Sequence, residues 1–243
     1  MQIVKLDAID STNAYLKRTM QIRQLEDYTV ALTNEQSSGR GQQGANWVSE
    51  PGKNLIFSVF KKFDHFLASH HFYLNIIVSL AIYRTLKNLD VPDLHIKWPN
   101  DILSGNSKIC GILIETVLAG EMLKSAIIGV GLNLNQTKFP GLPNASSLKL
   151  LVSRSFDSDM VLKQFIADLK YRFRFTRDFE LQLFRKEYER NLFMKDKQAT
   201  LILTGELEVK GIIRGVSEEG KLIVALGEKE LKEFDLKELK MLY

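Results

Sequence analysis

The sequence predicts an α+β protein in two units, residues 1–193 and residues 194–243. Three observations support this prediction. Apolar segments with period-two alternation or β-branched content indicate strands at intervals up to residue 133. Segments with helical spacing of apolar residues lie between and after these strands. From residue 199 onward the chain contains only short β-rich segments separated by glycines.

The strands of the larger unit are predicted from local composition. Residues 2–7 alternate between apolar and polar side chains, whereas YTVALT at 28–33 is rich in β-branched residues. The complete set of predicted strands is 2–7, 28–33, 54–60, 95–97, 108–116 and 124–133. A polar, glycine-rich segment from Glu35 to Lys53 has no regular pattern, and polar linkage fills residues 135–158.

The helices are predicted from apolar spacing and capping residues. Asp10, Ser11, Thr12 and Asn13 each could cap a helix that continues to Ile22. Residues 66–89 have apolar side chains on nearly every face of a helix, which predicts a long buried helix. The predicted helices are 14–22, 66–89, 159–179 and 181–191.

The last residues change character, which places a domain boundary near 193–196. Short β-rich segments occur at 199–203, 207–216 and 221–226, with glycines between them. Strands this short at regular turn spacing are typical of a small β-barrel or sandwich.

Composition excludes several classes of protein. The chain has 243 residues, 45% apolar and 26% charged, which are globular values. The net charge is +4, but acidic residues are interspersed among the basic ones without a basic block, which argues against DNA binding. Cys110 is the only cysteine, which predicts a reducing, cytoplasmic environment. The sequence begins without an export signal, and its apolar runs are too short to span a membrane.

The segment Lys97–Asp101 (KWPND) places a cation, an indole, an amide and a carboxylate on one bend. Pro99 disfavours helix at Trp98, so the bend is expected to leave its strand immediately. Lys108 follows before the next strand. Two lysines around such a loop suit an anionic ligand that develops charge during a reaction. An ordinary loop with solvated lysines is the alternative interpretation.

The segment Gly39–Gly44 (GRGQQG) matches the dinucleotide-binding pattern G-x-G-x-x-G. A Rossmann turn must continue into a helix, whereas here residues 45–52 have no helical period and include Pro51. This context argues against NAD. Two interpretations stay open: an anion-binding loop around Arg40 with Trp47 as a stacking plate or lid, or a mobile loop with Trp47 in the core. The four histidines show no ligand spacing, which argues against a protein-held metal.

Four segments, taken in order, resemble the biotin protein ligase family. They are Asp10–Asn13; Glu35–Gly41 with Trp47–Ser49 and Gly52–Leu55; Lys97–Asp101 with Lys108 and Gly111–Leu113; and Gly129–Asn133. The resemblance implies a mixed, largely antiparallel sheet backed by helices, similar to class II aminoacyl-tRNA synthetases. It also implies a small SH3-like C-terminal β-barrel. The Ser-Thr-Asn segment lies at residues 11–13, which predicts a short form without an N-terminal DNA-binding domain.

The resemblance implies a two-step ligase reaction. Biotin reacts with ATP, with Mg²⁺ present, to give biotinyl-5′-adenylate and pyrophosphate. A lysine amine on a biotin carboxyl carrier domain of a carboxylase then attacks the adenylate. Homodimerisation is a further expectation, with the strand Lys124–Asn133 as a possible edge.

The resemblance also implies roles for individual residues. Lys108 would stabilise developing charge, Arg40 would hold the carboxylate and α-phosphate, and Asp101 would serve the incoming amine. Ile112–Ile114 would form an apolar wall against the thioether ring and valeryl chain. The implied biotin-binding residues are Ser11, Thr12, Asn13, Gln36, Arg40, Gly41, Gln42, Lys108 and Gly111. The implied ATP- and adenylate-binding residues are Arg40, Gly41, Trp47, Asn54, Lys97, Asn100 and Asn133.

The loop departs from the family pattern at Gln42, Gln43 and Ala45, where many members carry further basic residues. Arg40 is therefore its only cation, which predicts weaker retention of the adenylate. Three alternative functions are a lipoate–protein ligase, a non-catalytic biotin-binding protein and a nucleic-acid-binding module. The Gly-Arg-Gly loop and KWPND favour biotin over lipoate, and the presence of Arg40, Lys108 and Asp101 favours catalysis.

Overall fold

Seven strands form one mixed sheet in a computed structural model that describes residues 2–205, 207–227 and 230–242. The strands are β1 (Ile3–Ile9), β2 (Thr29–Gln36), β3 (Leu55–Lys62), β4 (Leu94–Lys97), β5 (Asp101–Ser104), β6 (Ser107–Ala119) and β7 (Met122–Leu132). Their order across the sheet is β1-β2-β3-β7-β6-β5-β4. β1 and β2 run parallel, and all other neighbours in this sheet are antiparallel.

Five helices accompany this sheet in the described part of the chain. They are α1 (Thr12–Ile22), α2 (His71–Lys87), α3 (Leu148–Val152), α4 (Ser158–Arg172) and α5 (Asp178–Arg190). α2 is buried around most of its circumference because it packs between the sheet and the other long helices, α4 and α5. In the described residues, every helix is too short or too polar to cross a lipid bilayer.

The two faces of the large sheet have different partners, because side chains alternate along each strand. On β3, Phe57 and Val59 belong to the main core with the long helices. The alternate residue Phe60 packs on the other face against Leu16 of α1. α1 covers only part of that second face, and the remainder is left open beside the N-terminus of α1.

The C-terminal residues form a second sheet of five antiparallel strands. These are β8 (Gln198–Leu203), β9 (Leu207–Val216), β10 (Leu222–Leu226), β11 (Glu230–Phe234) and β12 (Leu239–Leu242), in the order β11-β10-β9-β8-β12. The core is continuous between the two sheets. The Trp98 indole donates to the Gly220 carbonyl at 2.8 Å. A Cβ at Gly220 would lie 2.2 Å from the Phe72 ring, so this contact requires glycine.

The fold agrees with most of the predicted elements and corrects some of them. All six predicted strands of the larger unit are confirmed, as is the β-rich end of the chain. The predicted helix at 66–89 begins later, at His71, after a 3₁₀ turn. Elements that were not predicted are β5, α3, β11 and β12.

The proposed edge role of Lys124–Asn133 is wrong. β7 pairs with β3 on one side and with β6 on the other, so its backbone groups are already used. The outer strands of this sheet are β1 and β4. The error arose because strand order depends on long-range pairing, which the local pattern of an apolar strand does not encode.

Candidate active site

A cavity of about 420 Å³ opens on the sheet face beside α1. Its walls come from the start of α1, the loop after β2, the bend between β4 and β5, and the end of the C-terminal sheet. Its floor contains Gly129 and Gly131 of β7, which pair with Leu113 and Gly111 of β6. The cavity is therefore formed by loops that lie over the strands of the large sheet.

One end of the cavity is neutral, and its side chains are hydrogen-bonded to each other. Ser11 caps α1, which places Thr12 and Asn13 in its first turn. The Gln36 side-chain oxygen accepts from the Thr12 backbone N–H at 2.8 Å and from its hydroxyl at 3.1 Å. The Ser58 hydroxyl lies 2.6 Å from both the Thr12 hydroxyl and the Asn13 side-chain oxygen. We call Thr12, Asn13, Gln36 and Ser58 the neutral cluster.

Contacts beneath the neutral cluster fix the orientation of the Asn13 amide. Its Nδ2 donates to Glu115 Oε2 at 2.9 Å and to the Leu113 carbonyl at 3.3 Å. Its oxygen faces the glycine-lined strand, where a Cβ at Gly129 would lie 2.4 Å away. Glycine at this position therefore makes room for the amide.

The glycine-rich loop is a folded hairpin beside this end. Arg40 forms an antiparallel bridge with Asn46, and the Gly41 N–H donates to the Ala45 carbonyl at 2.6 Å. Gln43 adopts φ of 52° at the tip. Its side chain donates to the Leu236 carbonyl at 3.0 Å, which connects the loop to the C-terminal unit.

Trp47 lies on the cavity floor rather than in the core. Its indole covers two glycines: a Cβ at Gly131 would lie 2.4 Å from the ring, and one at Gly111 would lie 3.1 Å from it. The indole Nε1 and the Gln42 side-chain oxygen are buried without a hydrogen-bond partner among the described residues. Both residues line the cavity, so these polar atoms are available to a ligand.

The opposite end of the cavity is charged. Lys108 Nζ lies 2.7 Å from Asp101 Oδ1, and Lys97 Nζ lies 3.9 Å from Asp101 Oδ2. Burial lowers the pKa of Lys97, and the ammonium groups of Lys108 and Lys240 lower it further, while Asp101 opposes the shift. We call Lys97, Asp101 and Lys108 the charged cluster.

Backbone pairing positions the charged cluster. Lys97 and Asp101 face each other across the turn that joins β4 to β5. Within this turn, the Asn100 side chain donates to the Ile112 carbonyl of β6 at 2.6 Å, and Asn75 of α2 donates to the Pro99 carbonyl at 3.0 Å. The bend predicted at KWPND is thus confirmed and is held from two sides.

A second cavity of about 250 Å³ adjoins the first. Trp47 and Lys108 line both cavities, whereas Asn133 lines only the second. The other wall is the segment 139–145. Lys108 Nζ lies 6.0 Å from the centre of the Trp47 ring. An extended ligand passing from one cavity to the other would therefore meet a cation and an aromatic face at the junction.

A model of the biotin/lipoate A/B protein ligase family matches residues 6–133, which is more than half of the chain. The chain belongs to this family. It is similar to the bifunctional ligase/repressor BirA of Escherichia coli (strain K12), with 26% identity over 226 residues, 91% of this chain and 68% of that protein. A biotin–[acetyl-CoA-carboxylase] ligase of Mycobacterium tuberculosis is 28% identical over 220 residues, 89% of this chain and 80% of that protein.

Solved structures confirm the family fold. The biotin protein ligase from Aquifex aeolicus in complex with biotin and ATP superimposes with a TM-score of 0.80 at 24% identity, over 99% of this chain and 98% of that chain. The α+β fold, with a mixed sheet backed by helices and a C-terminal antiparallel sheet, is therefore established.

The structure brings most residues that carry the family resemblance into the two cavities, while their individual roles stay predictions. Those that line the first cavity are Ser11, Thr12, Asn13, Gln36, Arg40, Gly41, Gln42, Trp47, Lys97, Asn100, Asp101, Lys108 and Gly111. Asn133 lines the second cavity. Asn54 lines neither of them. Its side chain accepts from the Leu134 N–H at 3.0 Å and donates to Gln136 at 2.5 Å, which holds the segment after β7.

The predicted apolar wall at Ile112–Ile114 requires correction. Successive residues of a strand face opposite sides of the sheet. Ile112 belongs to the main core and Ile114 packs against it. Only the side chain of Leu113 lies on the face shared with the cavity.

Sequence reasoning missed two polar side chains of the site. Ser58 is a completely buried hydroxyl in the otherwise apolar start of β3, and that contrast was a usable signal. Ser58 contacts the site through Thr12 and Asn13, which line the first cavity, whereas Lys240 of β12 lines that cavity itself, from the other sheet. No local pattern marks Lys240, because its approach to residues near position 100 depends on how the two sheets pack.

Proposed function

We propose that the protein is a biotin–protein ligase of the cytoplasm. It would activate biotin with ATP to biotinyl-5′-adenylate and then transfer biotin to a lysine of a biotin carboxyl carrier domain. The observation that carries this proposal is the arrangement of three zones in series: the neutral cluster, the charged cluster and the second cavity. They match the ureido ring, the reacting carboxylate with the phosphates, and the adenosine.

The neutral cluster suits the ureido ring of biotin. That ring has one carbonyl acceptor and two N–H donors, and the cluster offers hydroxyl and amide groups that can do both. Thr12, Asn13 and Ser58 are buried, Gln36 is half-buried, and all four are held by each other, so they are organised before the ligand binds. Leu113 and the Trp47 ring would enclose the apolar part of biotin beside them.

The first step of the reaction requires positive charge at the other end of the first cavity, where the charged cluster lies. The biotin carboxylate attacks the α-phosphate of ATP, and pyrophosphate leaves with the electron pair of the broken bond. Two anions must approach each other, so fixed cations are required. Lys108 stands at the junction of the two cavities, and Arg40 lines the first of them. Both would stabilise the negative charge that collects on the α-phosphate.

Magnesium fits this site as a companion of ATP rather than as a resident ion. Among the described residues, no three histidine, cysteine or acidic side chains are grouped to hold a metal. Asp101 is already paired with Lys108. Magnesium commonly binds through substrate phosphates with few protein carboxylates, and it would supply further charge neutralisation there.

The second step requires a neutral amine from the carrier lysine. Asp101 is the one carboxylate among the described residues that line the first cavity, and it lies between Lys97 and Lys108. It would accept a proton from, or orient, the incoming ammonium. Lys108, which now holds Asp101, would exchange that contact for the phosphoryl oxygen when adenylate is present.

Two further parts of the proposal concern organisation and location. Residues 1–193 would form the catalytic domain, and residues 194–243 would form the SH3-like domain. The seven-stranded sheet ends before this boundary and the five-stranded sheet begins after it. Cys110 is buried as a free thiol, which is compatible with a reducing compartment.

Lipoate is the alternative substrate, because the matching family model covers both classes of ligase. The dithiolane ring of lipoate has no N–H or C=O group, so it could exchange no hydrogen bonds with the neutral cluster, whereas the ureido ring of biotin could. The test is ATP–pyrophosphate exchange with either acid as the only activator. We expect exchange with biotin and at most a trace with lipoate. Exchange with lipoate alone, or with neither acid, would refute the proposal.

A further inference from the structure

Lys240 extends from the C-terminal sheet into the wall of the proposed active site. It lies on β12, which pairs only with β8 and forms one margin of its sheet. Lys240 lines the first cavity. Within the described part of the chain, no carboxylate lies within ion-pair distance of its ammonium group. Its charge is therefore not neutralised by any carboxylate of the described residues.

The charge balance of the cavity favours a polyanionic ligand. The described residues that line it include four cations and one carboxylate, namely Arg40, Lys97, Lys108, Lys240 and Asp101. Asp101 is shared between two of these lysines, Lys108 at 2.7 Å and Lys97 at 3.9 Å. The surplus of positive charge is larger than one carboxylate of a substrate requires.

The position of Lys240 is set by contacts between the two units. The Trp98 indole donates to the Gly220 carbonyl at 2.8 Å, directly after the charged Lys97. On the other side, Gln43 of the glycine-rich loop donates to the Leu236 carbonyl at 3.0 Å. These contacts hold the C-terminal sheet against both the KWPND bend and the loop.

We propose that Lys240 binds the β- and γ-phosphates of ATP and stabilises the departing pyrophosphate. This inference rests on the proposed ligase function. Lys108 lies where the two cavities meet, which is the place for the α-phosphate, while Lys97 and Lys240 line only the first cavity. A triphosphate that starts at Lys108 thus has two further cations available. Lys240 would also supply a cation that the glycine-rich loop lacks at Gln42 and Gln43.

The test compares Lys240→Gln with Lys237→Gln, a variant that removes the same charge from the exposed turn before β12. We expect Lys240→Gln to weaken binding of ATP and of pyrophosphate alone by about tenfold, because a charge-assisted contact is lost. Binding of biotinyl-5′-adenylate, which lacks these phosphates, should change by less than about twofold. Lys237→Gln should resemble the parent protein, and Lys240→Arg should retain ATP binding.

Calorimetric titrations with each ligand separate the outcomes. If Lys240→Gln loses equal affinity for ATP and for the adenylate, Lys240 has a structural role and the inference is overturned. The inference is also overturned if Lys240→Gln binds ATP as tightly as Lys237→Gln does. These titrations measure nucleotide binding in the absence of biotin, so their result does not depend on whether the protein is an active ligase. Failure of the ligase proposal would instead appear as absence of biotin-dependent pyrophosphate exchange in the parent protein.

Discussion

The two ends of the first cavity differ in how their polar groups are satisfied. At the neutral cluster, Thr12, Asn13 and Ser58 are at most 4% exposed and bond to each other. At the charged cluster, Lys108 keeps 35% of its side chain exposed, and its ion-pair partner among the described residues is Asp101. One end is neutral and held together by its own hydrogen bonds, whereas the other carries an excess of positive charge that an anionic ligand would balance.

This difference separates recognition from chemistry. A rigid, hydrogen-bonded pocket contributes equally to the ground state and the transition state, so it sets affinity. Cations aimed at developing charge act mainly in the transition state, so they set the rate. Substitutions in the neutral cluster are therefore expected to change the affinity for biotin. Substitutions in the charged cluster are expected to change the rate constants.

The largest effect is expected at Lys108. Lys108→Ala should reduce the rate of adenylate formation by about a hundredfold or more, since it removes an aimed charge-stabilising donor. The fold should survive, because Lys108 is partly exposed at the start of β6. Biotin-dependent pyrophosphate exchange is the measurement, with circular dichroism as the control for folding. A folded variant that exchanges at the parent rate would exclude this role.

A substitution at Ser58 tests the neutral cluster, at the other end of the first cavity. Ser58→Ala removes the hydroxyl shared by Thr12 and Asn13 and should weaken biotin binding by about tenfold, because buried polar groups lose a partner worth ~1–3 kcal/mol. The rate of adenylate formation at saturating biotin should change little. Ser125→Ala, at another buried strand serine, is the matched control. A lowered rate with unchanged biotin affinity would contradict the separation of the two ends.

Asp101 distinguishes the two half-reactions. Asp101→Asn keeps the shape of the side chain but can no longer accept a proton from the carrier amine. We expect transfer to the carrier to slow by about tenfold more than adenylate formation. Single-turnover transfer from preformed adenylate is compared with pyrophosphate exchange. Equal losses in both half-reactions would point to an ATP or metal role for Asp101.

The smallest effect is expected at Gln42, in the loop that departs from the family pattern. Gln42→Arg adds a second cation near the phosphate and should slow escape of the adenylate severalfold, with much of the gain reduced by solvent screening. Release of preformed adenylate is followed after dilution into excess unlabelled biotin and ATP. Identical release rates would show that loop charge does not set retention.

Local patterns predicted the elements that carry strong periodicity. The strands and the long helices were predictable because burial of one face imposes an apolar repeat. β5 was missed because it has four residues directly after the KWPND bend, and α3 because it has five within a polar linker. The internal position of β7 was not predictable, because one of its two pairing partners, β3, lies far away in sequence.

The candidate site was predictable to the extent that its residues form motifs. Thr12, Arg40 and Lys108 stand in short segments that resemble those of a known family. Ser58 has a physical signal, a polar residue in a buried strand, but no motif. Lys240 has neither, since only the packing of the two sheets brings it to the cavity.

We propose that the three zones in series form the active site of a biotin ligase. The direct measurement is mass spectrometry of a biotin carboxyl carrier domain incubated with the protein, ATP, Mg²⁺ and biotin. We expect a gain of one biotinyl group on a single carrier lysine, dependent on ATP and abolished in Lys108→Ala. An unmodified carrier despite biotin-dependent pyrophosphate exchange would contradict the transfer step, and modification by lipoate instead of biotin would contradict the assignment of the neutral cluster.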